Sequence, residues 1–168
     1  IRGEIDIENY HKELALVVDY IVDKLNLHIV FVPHIYSDLR AISDLLENID
    51  DSIIRNHITI APCIQGDEGV NYLFSIYKKS EFVIGTRFHS NVCSLAMKKF
   101  TIGLIVLDRV KYLYDYFGLS KQAVTLEGGF SKNIIDILIK SKPVSNKSID
   151  DARIKTLQFY KDNITLNY

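Results

Sequence analysis

Helical and strand periodicities alternate along this 168-residue chain, and each short apolar strand is handed to a helix. Strands separated by helices pair in parallel and are covered on both faces. The sequence therefore predicts an α/β fold, a Rossmann-like, mostly parallel sheet of about five strands with helices on both faces. Isoleucine is abundant, which favours buried strands. Hydrophobic residues make up 48% and charged residues 24%, a globular balance, so one core of ordinary size is within reach of this length.

Each element has its own signal. From Glu8 to Leu25, apolar residues at Leu14, Val17, Val18, Ile21, Val22 and Leu25 have helical spacing. His28 to Pro33 is a short buried strand stopped by proline. Ser37 to Glu47 reads as a helix with Ser37 as its N-cap and Asp38 in its first turn. Ile58 to Ala61 is a second strand, again followed by proline. Gly69 to Lys79 is a helix with Val70, Leu73, Phe74, Ile76 and Tyr77 on its apolar face. Phe82 to Ile84, Thr101 to Leu107 and Ala123 to Leu126 are the remaining strands. Between them lie a helix from Ser90 to Lys98 and one from Arg109 to Phe117, the latter ended by Gly118. Ser131 to Lys140 is a helix capped by Ser131. Residues 141–147 form a polar linker, and Ser148 to Asn163 is the last helix. The expected division is a Rossmann-like unit at 1–147 and a C-terminal helical segment at 148–168.

Several classes are disfavoured. A net charge of −1 gives no footprint for nucleic acid. Cys63 and Cys93 lie far apart in apolar settings and read as free thiols in a reducing compartment. His11, His28 and His57 have no partners at metal spacing, so no metal site is expected. No apolar run approaches the ~20 residues of a membrane span. No signal peptide is evident. No G-x-G-x-x-G follows the first strand, which argues against nicotinamide and flavin cofactors. The chain begins Ile1-Arg2-Gly3, which reads as an entry from within a longer sequence.

Chemistry concentrates in Glu81-Phe-Val-Ile-Gly-Thr-Arg-Phe-His-Ser90. A strand ends in Gly85, presents Arg87 and His89, and passes at once into a helix. In open α/β sheets, ligands bind outside the carboxyl ends of the strands. A helix N-terminus there offers free N–H groups and partial positive charge to an anion. Arg87 can fork onto a carboxylate or phosphate, and His89 can move a proton near neutral pH. The set suits an anionic substrate that needs proton transfer.

The run Phe82-Val-Ile-Gly-Thr-Arg-Phe-His-Ser-Asn-Val-Cys-Ser-Leu-Ala96 resembles the signature of the polysaccharide pyruvyl transferases: strand, Gly-x-Arg-x-His, then a helix rich in small residues. The likeness continues through Thr101-Ile-Gly-Leu-Ile105, Leu107-Asp-Arg-Val110 and Phe117-Gly-Leu119. It covers most of the chain, as the C-terminal half of a two-domain, glycosyltransferase-B-like protein whose site lies between the halves. The resemblance implies transfer of the enolpyruvyl unit of phosphoenolpyruvate to sugar hydroxyls, closed into a ketal, in capsule, exopolysaccharide or cell-wall synthesis. It implies no cofactor beyond the donor, a sugar or lipid-linked oligosaccharide acceptor, a partnering N-terminal domain, and a cytoplasmic place that includes the inner membrane face.

Carried onto this chain, the resemblance gives His89 and Arg87 the catalytic roles. Arg2, Gly85, Ser90, Asn91 and Arg109 become donor-binding candidates. Arg2 aligns with a family arginine at the end of a strand. Arg109 stands where the family usually has lysine, and Phe100 replaces a common proline. His34, Asp38 and Asp67 also fall at strand ends; Asp38 is either near the site or simply a helix cap. Plainer readings stand beside these: Arg87 satisfying carbonyls, His89 as a cap, Arg109 as a solvated first-turn residue, and Tyr112, Tyr114 and Tyr116 as packing. The last helix, with Ile154, Leu157, Phe159 and Tyr160, either folds onto its own domain or crosses to another. Two other functions remain open: a glycosyltransferase using a nucleotide sugar, and a non-catalytic binding module.

Overall fold

The structure, a computed structural model, describes residues 6–140 and 147–163. In order, the elements are α1 (Ile7–Asp23), β1 (Ile29–Phe31), α2 (Tyr36–Leu46), α3 (Asp51–His57), β2 (Ile58–Ile60), α4 (Gly66–Lys79) and β3 (Phe82–Gly85). There follow α5 (Phe88–Ala96), β4 (Phe100–Ile105), α6 (Asp108–Tyr116), a 3-10 turn at Ser120–Gln122, β5 (Ala123–Thr125), α7 (Phe130–Lys140) and α8 (Lys147–Asn163). Arg2 and linker residues 141–146 lie outside the described residues.

The fold is α/β, and every strand pairing is parallel. The expected single sheet is instead two hydrogen-bonded sheets among the described residues, β1-β2 and β3-β4-β5. Periodicity reports that a segment is a strand, and it carries no information on which strand is its neighbour. β1 pairs with β2 from Ile29↔Ile58 to Phe31↔Ile60. β4 pairs with β3 from Phe82↔Phe100 to Gly85↔Gly103, and with β5 from Gly103↔Ala123 to Ile105↔Thr125.

Alternation along β4 sorts the layers. Ile102 and Leu104 pack with Val17 and Ile21 of α1 and with Phe130, Ile134 and Leu138 of α7. On the opposite face, Gly103 lies against the Tyr114 ring of α6, so close that a Cβ there would fall 2.3 Å from Cε2. Tyr114 and Val110 of α6 share a second cluster with Leu95 of α5, Leu119 and Ile149. A third cluster joins Ala15 and Val18 of α1 to Leu45 and Ile49, beneath the strand residues Ile29, Phe31 and Ile58. α1 thus packs on both sheets.

Helix ends follow local chemistry. α6 closes as expected at Gly118, whose φ is +68, with Leu119 N–H donating to Tyr114 O (2.8 Å) and Gly118 N–H to Asp115 O (3.1 Å). Ser37 is not the cap of α2; the N-cap is Ile35, and Asp38 reaches back to the Ile35 and His34 N–H groups. Nor does Ser131 cap α7: Glu13 of α1 accepts from Gly129 N–H (3.0 Å) and Ser131 N–H (2.9 Å) at its first turn. On α4, Tyr77 is buried while Val70 and Phe74 are exposed, so the inward face is turned from the one the spacing suggests. Helix α3 has no buried residue; Asp50 caps it, accepting from Ser52 N–H at 2.7 Å. The first turn of α8 is held by buried Ile149 and a 2.7 Å Lys98–Asp150 ion pair. Further along, Ile154, Leu157, Phe159 and Tyr160 are exposed.

Candidate functional site

Side chains from the two sheets meet at the carboxyl ends of β1 and β3. From β1 the chain passes through buried Pro33 to His34 and into α2, which carries Asp38. From β3 it passes through Gly85 and Thr86 to Arg87, the N-cap of α5, and His89 in that helix's first turn. The connection between β2 and β3 crosses from one sheet to the other. Adjacent strand ends of this kind form the crevice in which α/β proteins bind ligands.

The contacts across the crevice are specific. Asp38 Oδ1 accepts from Arg87 Nη2, an ion pair joining residues 49 apart in sequence. Asp38 Oδ2 accepts from the backbone N–H of His34 (2.9 Å) and of Ile35 (3.2 Å). The Asp38 side chain is 20% exposed and Arg87 44%, so the arginine is the more open partner. His34 Nε2 is 2.6 Å from the hydroxyl of Tyr77, which comes from α4. His89 is exposed, edge-on to the Phe88 ring.

Electrostatics follow from this packing. Burial pushes the His34 imidazole below its ordinary pKa; Asp38 pulls it back up, while Arg87 and His89 push it further down. Burial works against the Asp38 carboxylate, yet the bonds from Arg87, His34 and Ile35 outweigh it and hold that group below the usual carboxylate range. Burial raises the Tyr77 phenol, so it stays protonated near neutral pH.

The remaining candidates separate in space. Ser90 Oγ donates to Arg87 O (2.7 Å), and Asn91 Nδ2 donates to Gly85 O (3.0 Å) and Arg87 O (2.8 Å). Asn91 Oδ1 accepts from the Tyr114 hydroxyl at 2.7 Å. Both side chains are buried in the strand-to-helix turn, where they fix the backbone that carries Arg87. What α5 offers the crevice is its first-turn N–H groups, which have no intrahelical acceptor. Gly85 is required by packing: a Cβ there would lie 2.7 Å from Ser90 Oγ and 2.8 Å from Asn91 Nδ2. Arg109 stands over the Phe88 ring, 5.2 Å from its centroid. With Phe88, Tyr112, Leu113, Tyr116 and Phe117 it lines a shallow groove of about 420 Å³. Asp67 is exposed in the first turn of α4.

Sequence reasoning paired Arg87 with His89 and left His34 and Asp38 at the margin. Tyr77 was invisible as a site residue, because its spacing marks it as core. Among the described residues, no group of three His, Cys, Asp or Glu is placed to hold a metal ion. Cys63 and Cys93 are free and half-buried. No described helix is long and apolar enough to cross a membrane.

A family model described as polysaccharide pyruvyl transferase matches residues 2–108, well over half of the chain. The matched region contains His34, Asp38, Tyr77, Arg87 and His89, and ends just before Arg109. No curated protein and no solved structure matches the chain.

Proposed function

The chain belongs to the polysaccharide pyruvyl transferase family, and from that premise we propose that it forms the donor-binding, C-terminal half of an enzyme that moves the enolpyruvyl unit of phosphoenolpyruvate onto a sugar. In this reading the two sheets are the halves of one doubly wound unit sharing a crevice. The observation that carries the reading is the meeting of Arg87 and His89 with His34 and Asp38 at that crevice, beside the first turn of α5.

The donor carries a carboxylate and a phosphate, about three negative charges. Arg87 gives one Nη2 bond to Asp38 and keeps the rest of its fork for an anion. The N–H groups at the start of α5 add partial positive charge beside it. Arg2 and Arg109 are the further cations assigned to the donor. His89 supplies the proton for the donor's methylene carbon, which makes the neighbouring carbon electrophilic toward a sugar hydroxyl. Such a general acid contributes roughly 10²–10⁴-fold. The exposed apolar residues of α8, Ile154, Leu157 and Tyr160, are assigned to contact with the N-terminal domain.

Isothermal titration of phosphoenolpyruvate, with Arg87→Ala/His89→Ala alongside, tests the reading. Heat of binding that disappears in the double variant is the expected result. Equal binding by both proteins removes the Arg-x-His turn from the donor site. Uridine and guanosine nucleotides serve as competing titrants; a preference for either would move the assignment to a nucleotide-sugar glycosyltransferase.

A further inference from the structure

Ketal formation joins one donor to two hydroxyls. The enol carbon gains two C–O bonds to the acceptor; it loses its C–O bond to phosphate, which departs with the bonding electrons, and its C=C π bond, whose electron pair forms the new C–H bond of the methyl group. The two hydroxyls give up two protons; the methylene carbon takes one and the departing phosphate the other. In the first addition, carbon is protonated while oxygen is deprotonated. One imidazole cannot be acid and base in the same step, so the site needs a second group.

We infer that His34 is this second proton-transfer group, working across the crevice from His89 and steadied by the Tyr77 hydroxyl. The inference rests on the transferase reading above. His34 issues from the end of β1 and His89 from the end of β3, so the imidazoles approach from separate sheets. The groups facing His34 are Asp38 of α2, Tyr77 of α4, Arg87 of the turn after β3, and His89 of α5. Tyr77 in turn is near Cys93 of α5.

Each neighbour has a consequence. Nε2 is engaged by Tyr77, and Nδ1 makes no hydrogen bond within the described residues. With Nε2–H donated to the phenol oxygen, Nδ1 presents its lone pair to a hydroxyl. When Nδ1 takes the proton, Tyr77 still accepts from Nε2–H and supports the imidazolium. Asp38 binds the His34 backbone N–H, which fixes the residue's place without neutralising its ring directly. Burial, Arg87 and His89 lower the ring's pKa against the pull of Asp38, and the lowering favours the neutral form a base needs. His34 is the base of the first addition and His89 the acid.

The test uses the full-length protein, phosphoenolpyruvate and a panel of p-nitrophenyl hexosides, with phosphate release followed across pH and donor affinity measured by titration. His34→Gln is expected to lower kcat by ~10²-fold or more while the donor Kd is unchanged. Tyr77→Phe, a positioning variant, is expected to keep part of kcat and to move the low-pH limb of the profile to lower pH, because the imidazolium loses its acceptor. Wild-type kcat and profile in His34→Gln overturn the role of His34 alone. Should His34→Gln fail to fold, an unmoved limb in Tyr77→Phe overturns it instead. A wild-type protein that releases no phosphate with any hexoside overturns the transferase reading itself, and the role of His34 with it.

Discussion

Asp38 shows how one side chain can serve both fold and site. Its carboxylate caps the start of α2 through two backbone N–H groups and holds Arg87 across the crevice. Burial raises its pKa, and those three bonds more than offset the rise, so the folded value lies below the unfolded one. The stability this group contributes is complete above the unfolded value and is lost as pH falls through the folded value. Asp38→Asn is therefore expected to flatten the acid end of a curve of Tm against pH, with little change near neutrality in that slope. Parallel curves for the two proteins would show that the carboxylate's charge contributes nothing. The first-turn position of Asp38 was legible, because a helix start favours an acid there. Its partner was not: Arg87 is 49 residues away, and a single sequence carries no signal for that pairing. The same holds for Tyr77, whose hydroxyl gives no sign of its use until His34 is placed beside it.

At the scale of elements, the turn after β3 owes its shape to helices that touch no ligand. Asn91, wholly buried, spends both amide protons on Gly85 O and Arg87 O and accepts from Tyr114. Tyr114 reaches that point because β4 has glycine at 103, where any side chain would meet the ring. Tyr114→Phe keeps the packing and removes the donor to Asn91 Oδ1, leaving a buried acceptor unmade at ~1–3 kcal/mol. Urea unfolding is expected to show a loss of that size with an unchanged m-value; a variant as stable as wild type would mean that water or another donor replaces the phenol. The strands and most of the helices were readable, since β4 is a short apolar run and α1 repeats helical apolar spacing over several turns. α3 was missed because none of its residues is buried and its sequence is largely polar. The reading of Tyr112, Tyr114 and Tyr116 as packing holds for Tyr114 alone; Tyr112 and Tyr116 are exposed along the groove beside Arg109.

At the scale of the molecule, two sheets that share no hydrogen bond must act as one support if a crevice between their ends is to keep its geometry. Two ties do this. At the carboxyl ends, His34–Tyr77 and Asp38–Arg87 span the gap. On one face, α1 places Val17 and Ile21 on the three-stranded sheet and Ala15 and Val18 on the cluster beneath β1 and β2. A single hydrogen bond and a partly exposed ion pair are weak ties, so the buried helix is the stronger one. Ile21 is 6% exposed, and Ile29 of β1 packs against the cluster it belongs to. Ile21→Ala removes buried methyl groups from that junction and is expected to cost ~2–5 kcal/mol. If α1 makes the sheets one cooperative unit, amide hydrogen exchange will accelerate together at Val30 in β1 and Ile102 in β4. Acceleration confined to β3, β4 and β5 would mean that the sheets open independently, and the crevice would then depend on the ion pair and on donor binding to hold its two sides in register.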